Sequence, residues 1–180
     1  MIDRKQAFVL IKRYIKNKNL IQHSLLAELI LRNIAKKLGK NEELWGLTGL
    51  LYNIDYEYTI DEPEKRGLFA AQILEGLLPE SCLNAIKSIN YQYLDYVPTT
   101  SLDKSLVATA AITNFIITVL RSKSIKNISD INVDMLKNEL DEFNSSNIKN
   151  RILFCNDIGI DLKDFLQIGI NAVKELTNET

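Results

Sequence analysis

Histidine is almost absent from this 180-residue chain, which carries one, and cysteine and proline are scarce at two and three. Cys82 and Cys155 show neither CxxC spacing nor a disulfide framework, so a cysteine-based metal site or a disulfide-stapled fold is excluded as an expectation. The expected state is that of a cytoplasmic protein with reduced thiols. A net charge of -1 with mixed signs gives no global electrostatic reason to bind nucleic acid or a membrane surface. The opening Met1-Ile2-Asp3-Arg4-Lys5 leads into no signal-type apolar core. The longest apolar run, residues 105–120, is broken by Thr109, Thr113 and Asn114, so a buried helix is expected there and not a membrane span. No alternating strand pattern survives; the nearest, residues 56–60, is short.

What is present is helical periodicity at the length of one domain, with 46% apolar and 25% charged residues. Phe8, Ile11, Tyr14 and Ile15 form one helical face. Leu25, Leu26, Leu29, Ile30 and Ile34 form a second, stopped at Gly39. Asn41 opens a third helix, in which Gly46 and Gly49 allow a neighbouring backbone to approach closely. Pro63 and Pro79 fit first turns of helices. A long apolar helix follows Thr100 or Ser101, and Asp161 caps a final one carrying Leu162, Phe165, Leu166, Ile168 and Val173. The polar stretch 122–146 reads as surface helix and loop, and residues 58–62 as an irregular connection. The fold class is all-α, a single helical domain over residues 1–180.

Several segments in order resemble the HDIG-type branch of the HD-domain phosphohydrolases. Asn19-Leu20-Ile21-Gln22-His23-Ser24 is similar to the family's first ligand motif. Leu44-Trp45-Gly46-Leu47 and Gly49-Leu50-Leu51 lead to Tyr52-Asn53, where the family has its His-Asp doublet, followed by Ile54-Asp55-Tyr56-Glu57. Arg66-Gly67-Leu68 resembles a His-Gly-Leu motif, and Ala85-Ile86-Lys87-Ser88-Ile89-Asn90 one ending in Ser-His-Asn. Residues 102–116 are similar to the helix that delivers a second metal-binding aspartate, with Ala110 in its place, and Gly159-Ile160-Asp161-Leu162 also fits. The resemblance covers about residues 20–176 and implies an HD-domain-like bundle.

The same resemblance implies lost chemistry. Its metal ligands, His, His-Asp and Asp, stand here as His23, Tyr52-Asn53 and Ala110, and two accessory histidine positions are Arg66 and Ile89. A catalytic divalent ion needs about three protein ligands, so no cofactor is expected and metal-dependent hydrolysis should be gone. The resulting expectation is a catalytically impaired binding or regulatory module. A second reading is a phosphohydrolase of phosphomonoesters or nucleotides, working through a rebuilt site of His23, Asp55 and Glu57 with a divalent metal. A third is a structural protein that self-associates, for example as a homodimer.

Among individual residues, His23 reads as a surviving ligand or general base, or as a hydrogen-bonded helix residue in a vacated pocket, the plainer reading being preferred. Asn53 could orient a ligand or satisfy backbone groups, and Tyr52 fills old cavity volume. Arg66 can hold a phosphate or carboxylate without a metal, pair with Asp55 or Glu57, or face water. Lys87 and Arg121 are partners for the same anion or solvated helix residues. Tyr56, Tyr58, Tyr91, Tyr93 and Tyr96 stack on a nucleobase, anchor a partner protein, or pack in the core. The expected partner is therefore a phosphorylated small molecule or nucleotide, or a protein, with neither nucleic acid nor membrane.

Overall fold

Seven of the described helices begin on a side-chain oxygen that takes up backbone N–H groups which the first turn leaves unpaired. In the computed structural model, which describes residues 1–125 and 127–178, Asp3 caps α1 (Arg4–Tyr14) through a reciprocal box with Gln6. Asn17 caps α2 (Lys18–Lys37), and Asn41 caps α3 (Glu42–Leu51). The short α4 (Leu68–Ile73) and α5 (Glu80–Ser88) follow two 3-10 turns, Tyr56–Tyr58 and Pro63–Lys65. Pro63 opens its turn as expected, whereas Pro79 is the residue just before α5. Thr100 and Asp103 form a second capping box at α6 (Ser101–Ser122). Asn132 caps α7 (Val133–Glu142) and Ser145 caps α8 (Ser146–Ile152). After the single turn α9 (Phe154–Asp157), Asp161 receives the amide of Asp164 at 2.8 Å and starts α10 (Leu162–Asn178). Among the described residues there is no strand, and the fold is all-α.

The helix α6 runs through the middle and packs against α2, α5, α8, α9 and α10. Its buried face includes Leu106, Ala110, Ile112, Phe115 and Ile116. It is the one described helix long and apolar enough to cross a membrane, but 67% of its most apolar window lies inside the protein. The polar stretch 122–146 is surface helix and loop, with α7 burying Leu136 and Leu140 on one edge where it packs on α10, while Lys126 lies outside the described residues.

The tightest contact joins α2 and α3. A Cβ on Gly49 would stand 2.7 Å from the Ala27 carbonyl oxygen, so only a glycine lets these backbones meet. A Cβ on Gly46 would meet the Arg32 side chain at 2.5 Å. That guanidinium is held in place by Glu28 and Glu43. Glu28 is fully buried and also pairs with Arg4 of α1 at 2.7 Å, which ties three helices together. A lone buried carboxylate would be strongly unfavourable; two guanidiniums sharing it make it tolerable.

The contrast between the two glycines is testable. Gly49→Ala forces backbone apart and should lower stability by about 1–3 kcal/mol despite alanine's better helix propensity. Gly46→Ala meets a flexible side chain and should cost less. Denaturant unfolding of both variants measures the difference, and equal losses would contradict backbone contact at Gly49.

Candidate functional site

Three elements bring the motif residues together. His23 lies in the second turn of α2, Tyr52 is the residue that ends α3, and α6 presents Ala110 and, one turn later on the same face, Asn114. His23 and Tyr52 are both buried. The imidazole Nε2 lies 2.8 Å from Asn114 Oδ1, and Nδ1 lies 3.2 Å from the Tyr52 hydroxyl. For a neutral ring one arrangement of protons satisfies both contacts: it donates from Nε2 to the amide oxygen and accepts at Nδ1 from the phenol. Burial lowers the His23 pKa; the Asn114 contact opposes this, and the nearby Arg66 charge adds to it. Burial likewise pushes the Tyr52 phenol up, so it stays protonated as the donor.

The two carboxylates after the doublet diverge. Asp55 is fully buried, and its Oδ2 accepts the amides of Gly67 at 2.7 Å and Ala70 at 3.0 Å. It thus caps α4 from a distant part of the chain. Gly67 makes this possible: its φ of +83° suits glycine, and a Cβ there would lie 2.8 Å from the Ile86 carbonyl oxygen. Burial pushes the Asp55 carboxyl up, against the two amides and Arg66. Glu57 turns the other way and accepts the amides of Lys16 at 3.0 Å and Asn17 at 2.7 Å, just before α2. Both carboxylates serve the backbone, on separate sides.

Arg66 leaves Asp55 and Glu57 to those amides. Its Nη2 donates to Asn53 Oδ1 at 2.6 Å, and its guanidinium lies 4.7 Å from the centre of the Tyr56 ring. Of the other residues singled out, Lys87 is separate: its ammonium lies 5.0 Å from the Tyr96 ring and borders a different cleft with Leu68 and Leu83. Tyr58 stacks edge-on between Tyr14 and Phe69, while Tyr93 is largely exposed. Two neighbours escaped the sequence reading. Asn114 had counted only as a polar break in an apolar helix, although a polar residue one turn from the Ala110 position was the available signal. Arg151 of α8 reaches the Ile89 carbonyl and stacks 5.3 Å from the Tyr91 ring; nothing in its local sequence marks it.

A cleft of about 530 Å³ opens beside His23, bordered by Asn19, Leu20, Tyr56, Asn114 and Arg121. Its size suits a small molecule. The residues at the motif positions singled out in the sequence do not fit a divalent cation. Both imidazole nitrogens are engaged, the Asn53 oxygen is held by a cation, and Ala110 has no donor atom. Among the described residues, no group of three or more His, Cys, Asp or Glu side chains could hold a metal ion. In comparisons with known proteins, no family model, curated protein or solved structure matches the chain.

Because His23 is the only histidine, its ring signals in NMR report this site directly. Its titration should fall below the ordinary value of about 6.5, and Arg66→Gln should move it upward. The sign for stability follows: the unfolded chain binds the proton more readily, so the contribution is present above pH about 6.5 and lost as pH falls through the lowered folded value. A midpoint at or above 6.5 in the native protein would contradict the neutral, doubly bonded ring.

Proposed function

We propose that this protein is a catalytically impaired relative of the HD-domain phosphohydrolases, a binding or regulatory module that holds a phosphorylated small molecule or nucleotide without a metal. The observation that carries the reading is Arg66. It places a permanent positive charge beside His23, stacked on Tyr56 and steadied by Asn53, with no ion-pair partner among the described residues. A guanidinium matches the oxygens of a phosphate group, and the cleft bordered by Tyr56, the ring on which Arg66 stacks, provides room for the rest of a ligand.

Two further observations support it. The carboxylates that a rebuilt hydrolytic site would need, Asp55 and Glu57, are committed to backbone amides. His23 is buried neutral between Asn114 and Tyr52, which leaves no free lone pair to take a proton from water. In this role Tyr56 supports the arginine and borders the ligand cleft. The buried thiols of Cys82 and Cys155 accord with a cytoplasmic setting.

A ligand that prefers the native state raises stability by about 2.7 kcal/mol at a hundred times its Kd. For a chain of this size that corresponds to a rise in Tm of roughly 5–10 °C. Thermal unfolding with adenosine monophosphate is expected to show such a rise, and Arg66→Ala to abolish it. Equal rises in the two proteins would overturn the assignment of Arg66.

A further inference from the structure

Arg66 has company. The guanidinium of Arg151 reaches across from α8 to the Ile89 carbonyl at the end of α5 and lies against Tyr91. The segment it grips is packed directly on the segment carrying Arg66. Gly67 stands so close to Ile86 that a Cβ would come within 2.8 Å of its carbonyl oxygen, and Asn90 Nδ2 donates to the Pro63 carbonyl at 2.7 Å. The two arginines therefore flank one junction between residues 63–67 and 86–91.

Their charges are not cancelled there. Neither arginine takes part in any of the ion pairs among the described residues. In each, the Nε–H is buried and has no hydrogen-bond partner. Burial lowers the Arg151 pKa, its contact with the Tyr91 hydroxyl opposes this, and the charge of Arg66 adds to the lowering, while both guanidiniums act on the buried Tyr52 phenol. A guanidinium nevertheless keeps its proton at any physiological pH, so neutralisation by deprotonation is closed to this pair. Asp55, the nearest acid in the motif, aims its Oδ2 at the α4 amides. Two partly desolvated cations, each with an idle Nε–H and without an ion-pair partner among the described residues, form a site that an anion of charge two would complete, although Arg66 also acts on the buried Asp55 carboxyl.

We propose that Arg151 and Arg66 together form a two-arginine site selective for a phosphate dianion, free or as a phosphomonoester, over a singly charged carboxylate. This rests on the anion-binding reading above and adds a second binding residue and a charge class to it. Tyr56 and Tyr91 hold the two guanidinium planes by stacking, so little side-chain freedom is lost when the anion arrives.

The test uses the unaltered protein first. The Nε–H signals of assigned arginines are followed by NMR during titration with inorganic phosphate, adenosine monophosphate and acetate. Phosphate is expected to shift both Arg66 and Arg151 with one common Kd, at least tenfold tighter than acetate. A tighter Kd for adenosine monophosphate than for phosphate would identify a phosphomonoester as the ligand; the reverse order would identify free phosphate. Movement of Arg66 alone, or equal affinity for acetate, overturns the two-arginine site and leaves the Arg66 reading intact. Movement of neither overturns both. As a second measurement, Arg151→Lys should weaken phosphate binding about tenfold, since the charge remains but the paired donors are lost; unchanged affinity counts against the proposal.

Discussion

A guanidinium cannot escape burial by giving up its proton, and that constraint governs this site. A lysine or histidine in the same place could become neutral; an arginine must be offset by a carboxylate, by a ring face, by carbonyl and amide oxygens, or by a ligand. The protein uses the second and third means for Arg66 and Arg151: Tyr56 and Tyr91 as ring faces, the Asn53 amide and the Ile89 carbonyl as oxygens. It uses the first elsewhere, at Glu28, where Arg4 and Arg32 share one buried carboxylate. The difference between these clusters is the difference between a structural ion cluster and a place poised to receive charge.

The surrounding chemistry follows from that positive charge. Burial and Arg66 favour the neutral form of His23, and in that form its two contacts are met with the proton on Nε2. Tyr52, with its ionisation suppressed by burial, supplies the hydrogen that occupies Nδ1. A cation would meet an imidazole whose two nitrogens are engaged and the fixed positive charge of Arg66. Asp55 ensures that Arg66 stays in place, because its carboxylate ties the turn after α3 to the start of α4, immediately beside the arginine. The fold around the site is rigid for separate reasons, chiefly the backbone contact of α2 and α3 at Gly49.

The all-α class was legible in the sequence because local signals and periodicity agree: Asn41, Thr100 and Asp161 cap where their side chains suggest, and Gly49 meets a neighbouring backbone. The meeting of two separated motif residues was legible too, since His23 and Tyr52 are in contact. What could not be read was side-chain direction across long separations. Asp55 and Glu57, two residues apart, serve helices on opposite sides, and Lys87, near Arg66 by motif order, points to Tyr96. Arg151 and Glu28 lie in ordinary-looking amphipathic helices, and only tertiary packing gives them their partners. A surface helix was expected within residues 122–146, but the bounds of α7 and its two buried leucines were not marked in so polar a stretch.

The central claim is that this site carries net positive charge and favours anions over divalent cations. Calorimetric titration of the purified protein with manganese addresses it most directly. The account predicts no stoichiometric, tight manganese binding, and no difference between the protein and its His23→Ala variant. Tight binding of one manganese ion per chain, lost on that substitution, would contradict it.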